Sequence, residues 1–341
     1  MLMGVFFMKN TKKGKITFFC AIMFLCAGPA VFSQNPSSPS LDSLQDAAHS
    51  FSTNLALSLP FNANMGLNWS DAHIGKFPHF GVGVSGGFST MNIGIFKEMF
   101  NKFDLNLPDI LFKFAGLPIP GYTVEGRISG FSLPFDIGVK FGYLPMSPGS
   151  FEKFDYLLAG GDIRYAVLKG SAVVPTISIG MGYNYMSGAL GIKAEKDAFF
   201  NYTDLNGNNQ TLTLTAPVIT LPWSTSALDF KVQISKSTEA VTPYLGVGAS
   251  FGFSKAGYRV ESAITDSGAA LETAKSFFKE EFGINDISST GFESIASINK
   301  WSGRLYGGLS FNITIVKIDL TGLWNFVDNS YGVSLGIRVQ T

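Results

Sequence analysis

The sequence contains very little cysteine and little charge. Only two cysteines occur in 341 residues, Cys20 and Cys26, and both lie near the N-terminus. Charged residues make up 15% of the chain, whereas ordinary soluble domains have ~25%. The 25 Lys and Arg residues balance 25 Asp and Glu residues. The basic surface that nucleic-acid binding requires is therefore missing, and that class of function is excluded.

Long apolar runs are absent after the N-terminal region, although 46% of the residues are hydrophobic. This apolar content excludes intrinsic disorder. No later stretch reaches the ~18 uninterrupted apolar residues of a membrane-spanning helix. A mature chain embedded in a membrane would therefore cross it as β-strands.

Residues 1–33 have the pattern of a secretory signal peptide. Four lysines between positions 9 and 15 precede an apolar region at residues 16–28, and cleavage is predicted between Ser33 and Gln34. Both cysteines lie in this segment. The mature chain therefore has no cysteine for a disulfide, although it enters an oxidising compartment.

An alternation of apolar and polar residues with a period of two recurs through the rest of the chain. Successive side chains of a strand point to opposite faces, so each alternating segment is predicted to be a strand. The ten predicted strands lie within residues 65–69, 80–88, 135–141, 163–167, 177–185, 228–234, 245–253, 301–313, 318–326 and 331–339.

Charged residues in the middle of these segments fall on the polar phase. They are Asp136, Lys140, Asp162, Arg164, Asp229, Lys231, Arg304, Asp319 and Arg338. The other positions of this phase are mostly Gly and Ser. A lipid-facing Arg or Lys at mid-membrane costs roughly 2–4 kcal/mol, so the polar phase is predicted to face a barrel lumen. The nine charges would form either a charged constriction or salt bridges between neighbouring strands.

Aromatic residues gather near the ends of the segments, where an interfacial girdle would lie. The candidates for this girdle are Tyr143, Tyr185, Trp301, Trp324 and Tyr331. The sequence thus predicts an all-β fold: a transmembrane antiparallel up-and-down β-barrel of about ten strands, with twelve to fourteen strands as the alternative.

The lengths of the connections orient this barrel, because outer-membrane barrels keep their short turns in the periplasm. Residues 168–173, 236–241 and 315–316 are predicted as periplasmic turns, and residues 187–223 and 256–300 as external loops. Residues 34–61 are predicted to form an N-terminal periplasmic segment or a first strand, and residues 62–341 to form the barrel.

Residues 91–132 form an unusually long connection on the predicted periplasmic side. The segment is apolar and partly helical in pattern, and its end alternates like a further strand. It is predicted to plug the lumen, and its candidate plug residues are Ile93, Phe96, Met99, Phe100 and Phe103.

These features together resemble a Gram-negative or spirochaete-type outer-membrane β-barrel protein, with a porin-like or fatty-acid-channel-like architecture. The features are the signal peptide, the cysteine-free mature chain, the alternation of Gly with aromatic residues and the alternating C-terminal strand. The resemblance covers residues from about 55 to 341. It implies location in the outer membrane, with membrane lipid and the barrel-assembly machinery as partners.

Motifs for enzymatic chemistry are weak in this chain. Gly81, Gly83 and Gly86 match a dinucleotide-binding pattern, but they lie inside a predicted strand, whereas that pattern acts at a strand-to-helix turn. Ser70, Asp71 and His73 suggest a hydrolase site only as a remote alternative. No catalytic residue, cofactor or metal is expected.

Small lumen-facing residues leave space inside the barrel for water, a ligand or an inserted segment. We therefore expect a barrel for passive or gated passage of small or partly apolar solutes. The alternative is a non-conducting structural or surface-interaction barrel, in which the external loops are the working parts.

Overall fold

The computed structural model describes residues 41–72, 79–91, 117–129, 134–146, 153–171, 173–193, 197–203, 209–266 and 291–341. Helix α1 spans Leu41–Asn62. The strands are β1 (His79–Met91), β2 (Leu117–Ser129), β3 (Phe135–Met146), β4 (Lys153–Leu168), β5 (Thr176–Lys193), β6 (Ala198–Thr203), β7 (Asn209–Ser235), β8 (Val241–Asp266), β9 (Gly291–Ile313), β10 (Val316–Asn325) and β11 (Ser330–Gln340). Within these residues no helix is both long and apolar enough to cross a bilayer.

Ten of the strands close into an antiparallel barrel. Each pairs with the next along the chain from β1 to β5 and from β7 to β11, and β1 pairs with β11. The pairing of β5 with β7 completes the ring. Strand β6 pairs only with the first residues of β7, where β7 runs beyond β5. The predicted up-and-down barrel of ten strands is confirmed.

The two ends of the barrel differ in their connections. At the short-turn end, four connections of at most seven residues join β2 to β3, β4 to β5, β7 to β8 and β9 to β10. Thr341 also lies there, bonded to the backbone of Phe80. The three predicted short turns lie at this end. The opposite end is called the loop end.

The distribution of side chains is the reverse of that in a soluble protein. On β11, Val333, Leu335 and Ile337 are 44–54% exposed on the outer face, whereas Arg338 is 2% exposed on the inner face. The same alternation of exposed apolar and buried polar residues recurs around the ring. A continuous apolar outer surface of this extent suits contact with lipid.

One predicted strand is wrong, and a different segment takes its place. Met65, Leu67 and Trp69 are buried inside the barrel and belong to no strand. Residues 117–129, predicted as part of a plug, form β2 in the barrel wall. Pro118 and Pro120 lie where β2 pairs with β1 but not with β3, whose pairing begins at Val124, and a strand side without a partner needs no amide donor.

The connection between β1 and β2 also differs from the prediction. Its flanking residues, Met91 and Leu117, pair with each other at the loop end, not at the predicted periplasmic side. The five candidate plug residues between positions 93 and 103 lie outside the described residues, as do residues 1–40, which include the predicted signal peptide.

Strands β7, β8 and β9 are much longer than the rest of the wall. They contain 27, 26 and 23 residues, whereas β10 and β11 contain 10 and 11. The described parts of the predicted external segments 187–223 and 256–300 therefore belong mostly to strands. These strands extend past the loop end, and the name tall sheet is used here for residues 198–203, 209–222, 254–266 and 291–302.

Candidate functional site

The lumen is occupied by the N-terminal part of the chain. We call residues 52–72 the lumen plug: they comprise the second half of α1 and the segment that leads towards β1. In α1, Pro60 packs against Gly252 of the wall, and Phe61 contacts Tyr244, Tyr306 and Leu323. The helix was not predicted. Because residues 41–62 are helical, the alternative of a first strand in this segment is wrong.

The plug changes direction at a sharp turn below the helix. Gly66 has φ +82° and Leu67 has φ 56°, both in the left-handed region. Gly66 also lies directly against the wall, because a Cβ added there would be 2.6 Å from Thr123 Oγ1 and 2.9 Å from Glu125 Oε1. Only glycine satisfies both conditions without strain.

Wall side chains donate hydrogen bonds to successive backbone carbonyls of the plug. Lys140 Nζ donates to the carbonyls of Ala63 at 2.8 Å and Met65 at 2.6 Å. Further along, the plug carbonyls are bonded by other wall donors: Lys231 to Leu67, Gln233 to Trp69 and Ser70, and Arg164 to Asp71. The plug therefore presents a line of oxygen acceptors to a largely cationic wall.

Trp69 of the plug has one hydrogen bond and two cation–π contacts with the wall. Its Nε1 donates to Glu125 Oε2 at 2.7 Å. The guanidinium carbon of Arg338 lies 4.7 Å from its ring centroid, and that of Arg127 lies 5.6 Å away. Cation–π contacts of this kind are stronger when desolvated, so they hold the ring in place. Glu125 also accepts from the backbone amide of Leu67.

The nine predicted lumen charges all lie buried on the inner face. The structure joins eight of them to carboxylate or cationic partners on other strands, either the adjacent strand or the one beyond it. The ion pairs among wall residues are Arg127–Asp136, Arg127–Asp162, Arg164–Asp136, Lys231–Asp162, Arg304–Asp229 and Arg338–Asp319. Of the two interpretations of these charges, the geometry therefore favours salt bridges between strands. Lys140 instead contacts plug carbonyls.

One carboxylate of the plug joins the wall charges at the short-turn end. Asp71 Oδ2 lies 3.0 Å from Lys317 Nζ and 3.2 Å from Arg338 Nη2. The neighbouring Ser70 hydroxyl accepts from the same guanidinium at 2.8 Å. These contacts place Ser70 and Asp71 in a structural ion-pair cluster, while His73 lies outside the described residues.

A small cavity lies beside the plug. This cavity, of about 20 Å³, lies between Trp69, Glu125 and Arg338. This volume is close to the minimum that holds one water molecule. In this conformation the segment around Trp69 fills the lumen. Among the described residues, no group of His, Cys, Asp and Glu is placed to hold a metal ion.

The predicted girdle aromatics lie on the outer surface. Trp301, Trp324 and Tyr331 are 40–55% exposed, and Tyr143 and Tyr185 are also exposed. Trp324 pairs with Tyr331 next to the turn at the loop end. A second set of exposed aromatics, Phe80, Tyr165 and Phe311, lies near the short-turn end.

Sequence reasoning missed several residues of the site. Arg127 and Glu125 were assigned to the wrong segment, and Lys317 lies at the very start of β10, outside the middle of a strand. Trp69 was placed in a strand. The signal was the alternation of Val124 and Ile128 with Glu125 and Arg127, which indicated a possible further strand at the end of the predicted plug segment.

The sequence matches no protein-family model, and no curated protein matches it. Among solved structures, it is similar to the outer membrane protease OmpT from Escherichia coli, with a TM-score of 0.40 and 7% identity over 77% of this chain and 96% of that chain. It is also similar to the translocator domain of the autotransporter NalP from Neisseria meningitidis, with a TM-score of 0.37 and 9% identity over 88% and 98% of the two chains. These neighbours are outer-membrane β-barrels, and the likeness concerns the fold alone.

Proposed function

We propose that the protein is an outer-membrane barrel that is closed by its own N-terminal segment and passes small solutes when the lumen plug leaves its place. The apolar outer face supports insertion into lipid, and the barrel-assembly machinery would be its partner during insertion. Outer-membrane barrels keep short turns in the periplasm. The short-turn end, with Asp71 and Thr341, would therefore face the periplasm.

The observation that carries this proposal is that most wall charges are paired within the wall. Asp136, Asp162 and Asp229 all contact cations on other wall strands. The plug itself contributes a single charged side chain, Asp71, in residues 52–72. Departure of the plug therefore leaves this network intact, and water can replace the plug carbonyls as acceptors for the remaining donors.

The open lumen would be narrow and polar. An eight-stranded barrel is just wide enough to be filled by its side chains, and ten strands make it only moderately wider. Around Trp69 its inner face carries Gly, Ser and paired charges, and the apolar lining of Tyr244, Tyr306 and Leu323 is confined to the part beside α1. Small polar solutes therefore fit the open state better than large or wholly apolar ones. The proposal assigns no catalytic step to the protein.

Single-channel conductance in a planar bilayer tests the proposal. The mature chain, residues 34–341, is compared with a variant that lacks residues 34–72. We expect the mature chain to be closed for most of the recording and the deletion variant to show steady open steps, because its lumen contains only water.

The control is a variant that lacks only residues 34–40, which retains α1 and the plug and should behave like the mature chain. Folding of each protein is verified by the mobility shift of heated and unheated samples on gels. A deletion variant that folds yet never conducts would contradict the proposal.

The tall sheet favours a second candidate function, a non-conducting barrel that binds a partner at the cell surface. Strands β7 to β9 extend well beyond the length needed to cross a membrane, and they rise from the end opposite the periplasmic turns. Under this alternative, removal of the plug leaves the folded barrel silent, whereas truncation of the tall sheet abolishes surface binding.

A further inference from the structure

The plug places its one carboxylate among three wall cations at the short-turn end. Asp71 contacts Lys317 and Arg338 through Oδ2, and Arg164 Nη1 donates to its backbone carbonyl at 2.8 Å. A cluster of cationic donors around one anion is the arrangement by which proteins bind carboxylates and phosphates. In the closed barrel, that anion belongs to the chain itself.

The two guanidinium groups of this cluster also have carboxylate partners in the wall. Arg338 Nε donates to Asp319 at 2.7 Å, and Arg164 Nη2 contacts Asp136 at 2.6 Å. Both guanidinium groups are almost fully buried. Their orientation would therefore persist after the plug leaves, so the donors are already arranged for another anion.

Lys317 is the most accessible member of the cluster. Its side chain is 16% exposed, compared with 1% for Arg338 and 3% for Arg164. It lies at the second residue of β10, next to the short turn. A solute that arrives at this mouth of the lumen would meet the Lys317 ammonium group first.

Charge balance in the lumen changes when the plug is removed. The buried or nearly buried charges of the described wall are the cations Arg127, Lys140, Arg164, Lys231, Arg304, Lys317 and Arg338, and the acids Glu125, Asp136, Asp162, Asp229 and Asp319. The acceptors that contact Lys140 and Lys317 both belong to the plug. The seven cations exceed the six acids by one charge while Asp71 is present, and they exceed the five wall acids by two when the plug is removed.

We infer that the periplasmic mouth of the lumen is an anion-binding site, that Asp71 fills this site in the closed barrel, and that the solutes of the open barrel are small oxyanions bearing carboxylate or phosphate groups. This inference rests on the proposed function, because it requires the plug to leave. An oxyanion would replace the Asp71 carboxylate between Lys317 and Arg338, and its binding would favour the open state by mass action.

Binding of inorganic phosphate to refolded protein, measured by calorimetry, tests the site directly. In the mature chain, the attached carboxylate competes with phosphate. We expect Asp71→Asn and the variant lacking residues 34–72 to bind phosphate at least tenfold more tightly than the mature chain. Adding Lys317→Met to either variant should remove that gain. Equal weak binding by all of these proteins would overturn the inference.

The reversal potential of the plug-deleted variant in a KCl gradient provides a second measurement. An excess of lumen cations predicts chloride selectivity, and Lys317→Glu in the same variant should shift the reversal potential towards potassium. A conducting but cation-selective pore would overturn the anion site and leave the gating proposal standing. A silent pore would overturn the gating proposal, and the phosphate titration would still decide the binding site.

Discussion

At the scale of single residues, Gly66 combines two requirements that are usually met at different positions. Its backbone is in the left-handed region, and its Cα lies against wall side chains. A left-handed conformation costs a non-glycine residue roughly 1–2 kcal/mol, and the short distances to Thr123 and Glu125 add steric repulsion. This position therefore determines how the plug fits the lumen.

Gly66→Ala is expected to displace the plug without unfolding the barrel. The plug should fit less closely, so the mature chain should open more often in single-channel recordings. The matched control is Gly126→Ala on β2, where an added Cβ would lie no nearer than 3.8 Å to another atom, at Val139. The control should behave like the unchanged protein; equal opening in both variants would argue against the role of this turn.

At the scale of elements, strand length separates the membrane-crossing wall from the tall sheet. At about 3.3 Å per residue, the 10 residues of β10 extend ~33 Å, enough to cross a ~25 Å apolar band at the usual tilt. The 26 residues of β8 extend ~86 Å. About half of β8, residues 254–266, therefore lies outside the lipid, and its exposed residues there include Lys255, Arg259 and Glu261.

Arginine substitutions on the outer face would locate this boundary. Val139 on β3 is 60% exposed in the membrane-crossing wall, and Ile295 on β9 is 49% exposed in the tall sheet. Val139→Arg should lower the free energy of unfolding in lipid by roughly 2–4 kcal/mol, whereas Ile295→Arg should change it little because its side chain meets water. Urea unfolding in vesicles measures both; a comparable loss for Ile295→Arg would place the tall sheet in lipid.

At the scale of the whole molecule, the charges lie in the interior and the apolar residues on the surface. Buried ion pairs are tolerated because each carboxylate contacts more than one donor. Asp162, for example, accepts from both Arg127 and Lys231. Removal of one partner from such a group leaves buried charge uncompensated, and this typically costs 3–5 kcal/mol.

Asp162→Asn is therefore expected to destabilise the barrel by about 3–5 kcal/mol, because Arg127 and Lys231 lose a shared carboxylate. The comparison is Glu293→Gln, which breaks the Arg259–Glu293 pair of the tall sheet, whose side chains are 47% and 38% exposed. An exposed pair contributes about 0–1 kcal/mol. Unfolding in urea measures the difference, and equal losses would show that the wall network is hydrated.

The number of barrel strands, ten, was predicted correctly from the sequence. One of the ten predicted segments, residues 65–69, is not a strand, and residues 117–129 take its place. Alternation of apolar and polar residues indicates an extended backbone that lies between two different environments. It does not indicate which strand is the partner of that segment. Met65, Leu67 and Trp69 alternate with smaller residues inside the lumen, where they have no strand partner. Residues 117–129 were assigned to the plug segment although their end alternates like a further strand, and their two prolines lie where β3 does not pair.

The sequence by itself determined which side chains face lipid and which face the lumen. A charged side chain on the lipid face is energetically costly, so in a strand whose side chains alternate between two faces the charged phase is the lumen face. The occupant of the lumen was decided only by the tertiary structure. The plug is nearly neutral, and its contacts join Trp69 to Glu125 and Asp71 to Lys317, residues 56 and 246 positions apart in the chain. A local sequence pattern carries no information on contacts between residues that are so far apart in the chain. These contacts form because the barrel closes around a segment that fits inside it.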